Sequence, residues 1–116
     1  MSTQATSRAR VRQESSTAKL AKFFPEASPV RIPVRLTRVI EEKNDCSEET
    51  VIEFGTHREV LFSSTLPLEF ADRLTLKNSD GSLNAEASVV ALQYTSGRTA
   101  VAARFTQEVS NWIVKP

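Results

Sequence analysis

The chain has very few of the residues that build metal sites, disulfides and phosphate-binding loops. Its 116 residues include one cysteine, one histidine and three glycines. One histidine and one cysteine are too few for an ordinary zinc site, which uses about four ligands. The glycines Gly55, Gly81 and Gly97 are isolated, so no glycine-rich phosphate loop is present. Cys46 cannot form an internal disulfide, and we predict an ordinary exposed thiol there.

Long apolar runs are also absent. No stretch approaches the roughly 20 residues that cross a bilayer, so we expect no membrane span. The N-terminal sequence MSTQATSRARVR is basic but no apolar segment follows it, which is not typical of a secretory signal. Together with the single cysteine, this pattern favours a cytoplasmic protein.

The single histidine weighs against an enzyme. His57 has two carboxylates and two hydroxyls near it in sequence: Glu53, Glu59, Ser63 and Ser64. A general-base histidine needs a nucleophile and an orienting carboxylate beside it. Strand alternation would instead distribute these side chains over both faces. We therefore predict a non-enzymatic protein with no catalytic residues, metal or cofactor.

Charge is unevenly distributed along the chain. Residues 1–24 contain five basic residues and one acidic residue, a net charge of +4, although the whole chain is only +1. The remaining residues are therefore mildly acidic. Such a basic arm could contact nucleic acid, an acidic partner or the acidic loop of the same protein, or could only aid solubility.

The arm and the folded domain are predicted to meet near residue 27. Residues 1–13 are rich in Ser, Thr, Gln and Arg, which predicts disorder. Residues 14–24 are predicted to form a short helix with Leu20, Phe23 and Phe24 on one side, and Pro25 ends it. We divide the chain into an arm with this helix, 1–27, and a β-barrel domain, 28–116.

From residue 30 the apolar period changes to two, which is typical of strands. Pro33 places the first strand at an edge or beside a bulge. A polar loop is predicted at 42–48, a bulge near Val89 and Val90, and a hairpin turn at Asp80-Gly81. The predicted strands cover residues 30–40, 51–54, 59–64, 73–77, 83–94 and 99–105. This pattern predicts a mostly β fold, a six-stranded antiparallel barrel with a short N-terminal helix and a C-terminal helical turn.

Two further features of the predicted barrel concern its packing. The alanine-rich sixth strand predicts tight packing against a neighbour. The segment from Gln107 to Trp112 is predicted to lay Trp112 and Val109 over one mouth of the barrel.

Arginines on the first strand are candidate ligand-binding residues. Arg31 and Arg35 are four residues apart, so they point to the same face, roughly 13 Å apart. Arginine suits phosphates and guanine edges, although a solvated outer face of an edge strand is the favoured explanation of the pattern. Tyr94 is the only tyrosine and the phenylalanines are predicted to be buried, so the chain lacks stacking aromatics. Nucleic acid is therefore the less favoured partner.

The segment Thr50–Ser64 predicts two strands joined at a polar corner. The corner residues Thr56, His57 and Arg58 are expected to be accessible. We take them as candidate ligand-binding residues, because a corner between strands is where a small barrel can hold a ligand.

The order of these elements resembles the PilZ domain, a bacterial module that in many members binds cyclic di-GMP. The resemblance covers about residues 28–112. Its parts are the strand VRIPVRL, the corner FGTHRE, the return VLFSSTLPLEFADRLTL, the strand AEASVVALQY, and the closing VAARF and Trp112. It implies a six-stranded barrel, cyclic di-GMP as the ligand, and a role in second-messenger signalling.

The ligand motifs of the family are altered in this chain. One motif is a pair of arginines four apart before the first strand; Arg8 and Arg12 have the spacing upstream, and Arg31 and Arg35 have it inside the strand. The second motif, Asp/Asn-x-Ser-x-x-Gly, matches Phe54, Thr56 and Glu59, of which only Thr56 keeps its chemistry.

The favoured interpretation is a PilZ-like adaptor that has weakened or lost cyclic di-GMP binding and acts through a protein partner. One alternative is a functional receptor whose basic arm clamps the ligand at the corner. A second is a small nucleic-acid-binding barrel.

Overall fold

The computed structural model describes residues 15–39, 46–95, 97–109 and 111–115. The described residues form one short helix and six strands: α1 Ser16–Ala21, β1 Ser28–Arg38, β2 Cys46–Gly55, β3 Glu59–Ser64, β4 Arg73–Lys77, β5 Asn84–Thr95 and β6 Arg98–Phe105. The strands are antiparallel and close into a barrel in the order β1-β2-β3-β6-β5-β4, with β4 pairing back to β1. The predicted six-stranded barrel with an N-terminal helix is therefore confirmed.

The inside of the barrel is filled by alternate side chains of every strand. The largest of them are fully or almost fully buried: Val34, Leu36, Ile52, Val60, Phe62, Leu74, Leu76, Val89 and Val101. A barrel of this size holds a packed core rather than a channel. Any ligand site therefore lies at an end of the barrel or on its outer surface.

Helix α1 covers part of the outer surface. Its Leu20 packs in a second apolar cluster with Leu61, Ala100 and Ala102, whose side chains face outward from β3 and β6. The small alanine side chains let the helix approach the sheet closely, which confirms the prediction made from the alanine-rich strand. Ser15 caps the helix, since its Oγ accepts a hydrogen bond of 3.0 Å from the N–H of Ala18.

The helix is shorter than predicted, and Phe23 does not share its buried side. The helix ends at Ala21, and Phe23 and Phe24 then donate backbone hydrogen bonds three residues back, to Leu20 and Ala21. This tighter turn breaks the helical spacing, so Phe23 is 74% exposed while Phe24 packs on the cluster under the helix. The prediction that all phenylalanines are buried is therefore wrong. The predicted disordered arm, residues 1–13, lies outside the described residues.

Pro33 lies on a part of β1 that β4 does not reach, because the β1–β4 pairing covers only Arg35 to Arg38. The N–H of Val39 donates to the carbonyl of Arg73, which extends this ladder by one pair. By the two-residue alternation of an antiparallel ladder, position 33 also directs its backbone toward the β4 side. A proline costs no ladder bond there, because no strand lies opposite.

Besides a register shift on β2 between Ile52 and Phe54, opposite β3, two bulges lie where the sequence predicted them. One lies on β1 between Pro29 and Ile32, opposite β2, as expected from the proline-containing run. The other lies on β5 between Val89 and Ala91, opposite β6, where adjacent apolar residues predicted it. At this bulge Val90 and Ala91 pack against the cluster under α1.

Strand β2 begins earlier than predicted, because the segment 46–48 belongs to the sheet and not to a loop. Its polar side chains have partners on the neighbouring strands. Glu49 forms a 3.0 Å ion pair with Arg35 of β1, and Glu48 accepts a 2.6 Å hydrogen bond from Ser64 of β3. Cys46 is half-buried at the start of the strand instead of exposed.

One end of the barrel, here called the corner end, gathers the connections 55–59 and 78–83 and the tail, residues 106–109 and 111–115. The tail crosses this end, with the amide of Asn111 donating to the carbonyl of Ser82 at 2.8 Å. Trp112 is only 3% exposed, and its backbone N–H donates a hydrogen bond to the carbonyl of Val109, which forms a single turn. The predicted placement of Trp112 and Val109 over one mouth is thus confirmed. Within the described ranges, no helix is long and apolar enough to cross a membrane.

Candidate functional site

The side chain of Thr56 closes the corner between β2 and β3. Its Oγ1 accepts hydrogen bonds from the N–H groups of Arg58 at 3.0 Å and Glu59 at 2.8 Å. Threonine favours such local turns because its hydroxyl can replace a backbone acceptor. Thr56 is only 4% exposed. The expectation that all polar side chains of the corner are accessible is therefore wrong for Thr56.

Glu59 connects this turn to the neighbouring strand. It lies opposite Arg104 in the β3–β6 ladder, and both Nε and Nη2 of Arg104 donate to its Oε2, at 3.0 and 2.8 Å. Its other oxygen accepts a 2.5 Å hydrogen bond from the Thr56 hydroxyl. Burial alone would raise the pKa of Glu59, but the hydrogen bonds from Thr56 and Arg104 and the nearby positive charges outweigh it and lower the pKa. The carboxylate is thus ionised, and its charge is compensated internally.

Trp112 fixes the tail to the same corner. Its Nε1–H donates a 2.7 Å hydrogen bond to the carbonyl of Thr56. Its ring lies so close to Gly55 that an added Cβ there would be 2.5 Å from Cζ2. The ring also meets Phe105 edge to face, with centroids 5.3 Å apart. The corner, the end of β6 and the tail therefore form one packed unit.

A cleft of about 420 Å³ lies between the corner and the tail; we call it the tail cleft. The tail contributes apolar side chains to its walls, and four charged or titratable groups line it: His57, Arg58, Glu108 and Lys115. Two of the predicted site residues, His57 and Arg58, are thus brought to one cleft.

His57 has no catalytic partners among the described residues. Its Nδ1 lies 4.0 Å from a carboxylate oxygen of Glu26, a contact that is an ion pair only when the imidazole is protonated. Ser63 and Ser64 make their hydrogen bonds elsewhere, to Arg98 and Glu48. The segment between α1 and β1 thus lies near the corner, and among the described residues neither serine is placed beside the imidazole.

The arginines of β1 lie away from the tail cleft. Arg31 and Arg35 are on the outer face of the strand, and Arg35 contacts Glu49 and, at 3.5 Å, the hydroxyl of Ser47. Both side chains of the Arg35–Glu49 pair are more than half exposed, so the pair contributes little to stability. The other predicted arginines, Arg8 and Arg12, lie outside the described residues.

Sequence reasoning missed three residues that shape the site. Arg104 reaches Glu59 only because β3 and β6 are neighbours in a specific register, and the sequence carries no local signal for that pairing. Glu108 and Lys115 reach the tail cleft because the tail turns back across the barrel end. The sequence signal that could have located Glu108 and Lys115 is Trp112, because a buried tryptophan fixes the tail across the barrel end.

Within the ranges that the structure describes, no group of three or more His, Cys, Asp or Glu side chains could hold a metal ion. Comparison of the chain with models of protein families, with curated proteins and with solved structures gave no match. The PilZ resemblance therefore stays a prediction made from the sequence, and function is argued from the geometry.

Proposed function

We propose that the chain is a non-enzymatic, PilZ-like signalling adaptor that acts through protein contacts and does not bind cyclic di-GMP in the usual mode of that family. The observation that carries the proposal is the internal use of the three positions that match the family's corner motif.

Each of these positions serves the fold. The Thr56 hydroxyl holds the corner turn, and Glu59 is paired with Arg104. Phe54 packs on the apolar cluster around Leu20 under the helix. A ligand that used these positions would have to break the turn, the ion pair or the helix contact. Binding through them is therefore disfavoured.

A rigid apolar group at the opposite end of the barrel supports a protein partner. Phe70 is 70% exposed and precedes Ala71, whose positive φ of 74° is strained for a residue with a Cβ. Asp72 holds this loop, since its carboxylate accepts from the N–H of Glu69 at 2.8 Å and pairs with Arg38 at 3.2 Å. Exposed aromatic side chains on pre-organised backbone are typical anchors of protein interfaces.

Isothermal titration with cyclic di-GMP at neutral pH and moderate salt tests the first half of the proposal. We expect no saturable heat, and micromolar affinity would overturn the proposal. The receptor alternative predicts the opposite result, together with loss of binding when residues 1–13 are deleted. The nucleic-acid alternative predicts an oligonucleotide shift that weakens steeply with salt.

Site-specific photocrosslinking in cells tests the second half. A photoreactive phenylalanine analogue at position 70 is expected to give a discrete crosslinked protein band. The matched control places the analogue at Phe23, which is exposed to a similar degree at a different place in the chain. Equal crosslinking from both positions would contradict a specific contact at Phe70.

A further inference from the structure

The tail cleft has the size and walls of a small-molecule site. Its volume of about 420 Å³ lies within the range of about 300–1,000 Å³ that is usual for ligand pockets. Phe105, Val109 and Val114 are half-buried and pack against the core while also lining the cleft. Trp112 lines it with an apolar ring, because its N–H points to the carbonyl of Thr56 instead. These side chains offer a fixed apolar surface for the body of a ligand.

The edge of the cleft carries two exposed cations, Arg58 and Lys115. Among the described residues, neither Arg58 nor Lys115 makes a side-chain hydrogen bond or ion pair, and both residues are exposed. The acidic neighbour of Arg58 in sequence is Glu59, whose carboxylate already accepts hydrogen bonds from Nε and Nη2 of Arg104. Arg58 acts on Glu59 only through its charge, which helps to lower the pKa of that carboxyl, and forms no hydrogen bond with it.

The remaining titratable groups at the cleft are Glu108 and His57. Glu108 is an exposed tail residue and is the acidic side chain that lines the cleft. His57 faces Glu26, which lines a neighbouring hollow of about 280 Å³ that also contains Lys115. The cleft itself thus has two permanent positive charges against one negative charge.

We infer that the tail cleft binds a small organic anion that has one anionic head group and an apolar body. The head group lies between Arg58 and Lys115, and the body rests on Phe105, Val109 and Val114. A carboxylate, sulfonate or phosphate monoester satisfies this chemistry, because guanidinium and ammonium groups donate charge-assisted hydrogen bonds to each. This inference does not depend on the adaptor proposal, which concerns the corner turn and the opposite end of the barrel.

Fluorescence titration tests the inference, since Trp112 is the only tryptophan and lines the cleft. The probes are 8-anilinonaphthalene-1-sulfonate, decanoate and decyl phosphate, with decanol as the uncharged comparison and acetate as the comparison without an apolar body. We expect saturable binding of the three amphipathic anions, with a change in Trp112 emission, and much weaker binding of decanol and acetate. Absence of saturable binding of all three anions up to about 1 mM would overturn the inference.

Charge-reversal variants locate the site. The double variant Arg58→Glu/Lys115→Glu is expected to weaken binding by about tenfold or more, because it removes the charge-assisted hydrogen bonds of both cations and repels the anion. The control Lys19→Glu/Lys77→Glu changes the net charge equally on exposed residues of α1 and β4 outside the cleft and should bind like the native protein. Equal weakening in both would show a nonspecific charge effect and reject the site. Near-ultraviolet circular dichroism verifies that each variant keeps native packing, so that the dye does not report a loosened core.

Discussion

The contact between Gly55 and Trp112 gives the sharpest test of how the corner end is packed. Gly55 does not have a positive φ, so alanine at this position meets no backbone strain. Its Cβ would, however, lie 2.5 Å from Cζ2 and 3.2 Å from Cη2 of Trp112. The indole cannot easily move away, because Nε1 is bonded to the Thr56 carbonyl and Phe105 packs against the ring.

We expect Gly55→Ala to destabilise the protein by about 1–3 kcal/mol, the usual cost of overpacking a close contact. At a urea m-value of about 1–3 kcal/mol/M this lowers the unfolding midpoint by about 1 M. Trp112→Phe is destabilising for a different reason, since it removes ring contacts and leaves the buried Thr56 carbonyl without its donor. A phenylalanine ring also leaves empty the space that Cζ2 and Cη2 of Trp112 occupy, which is where the Cβ of an alanine at position 55 would lie.

The double variant separates steric overlap from other causes. In the Trp112→Phe background, Gly55→Ala should cost less than about 1 kcal/mol, giving a coupling energy of about 1–2 kcal/mol. Urea unfolding followed by far-ultraviolet circular dichroism measures all four proteins, since the tryptophan is lost in two of them. Gly81→Ala is the control: its φ is +78° and no atom lies within 4 Å of an added Cβ, so its cost comes from the backbone and should be equal in both backgrounds. An equal cost of Gly55→Ala in the two backgrounds would refute the steric explanation.

Three further outcomes follow from the same structure. The pKa of Glu59 is lowered in the folded state, so the stabilisation by its carboxylate is present above an unfolded pKa of about 4.3 and is lost as the pH falls through the folded value. Glu59→Gln should therefore flatten the fall in stability between about pH 7 and pH 3, measured by urea unfolding, although the lowered pKa of Glu48 leaves part of that fall. An unchanged fall would contradict this explanation. Leu20→Ala should destabilise the protein by about 2–3 kcal/mol because it leaves a cavity in the cluster under α1, whereas Ser15→Ala should cost about 1 kcal/mol because it removes the helix cap. A larger loss for Ser15→Ala than for Leu20→Ala in thermal melts would show that Leu20 does not hold the helix. Phe70→Ser should change the free energy of unfolding, measured in urea, by less than about 0.5 kcal/mol, because the side chain is mostly exposed. A larger loss would show that Phe70 belongs to the fold.

The barrel could be predicted because its strands keep the period-two pattern and its turns carry strong local chemistry. The bounds of β3 and β4 and the β5 bulge follow directly from that pattern. The start of β2 could not be predicted in this way. Its residues are polar on both faces, and Glu48 and Glu49 are satisfied by Ser64 and Arg35 on two different neighbouring strands. Only the three-dimensional arrangement shows that these residues belong to a sheet.

The candidate site, like the barrel, could be predicted from the sequence only in part. His57 and Arg58 could be placed at a corner because Gly-Thr-His-Arg between two apolar runs is a local turn signal. The burial of Thr56 could not, because it depends on Glu59, Arg104 and Trp112 closing around the turn. Arg104 is 45 residues from Glu59, and a shift of one residue in the β3–β6 register would point it to the other face.

The two ends of the barrel have different physical requirements for a ligand or partner. At the corner end, Thr56 joins the turn, the ion pair and the tail, so a bound anion in the tail cleft would contact groups that already hold one another in place. At the opposite end, the Phe70 loop is held by Asp72 and Arg38 and, among the residues that the structure describes, makes no hydrogen bond or ion pair with the tail. Coupling between distant sites needs an element with two alternative arrangements, and the packed core shows one, so we expect the ends to act independently. Gly55→Ala should therefore weaken anion binding in the tail cleft and leave crosslinking at Phe70 unchanged; loss of both would show that the corner and the Phe70 loop are coupled through the barrel.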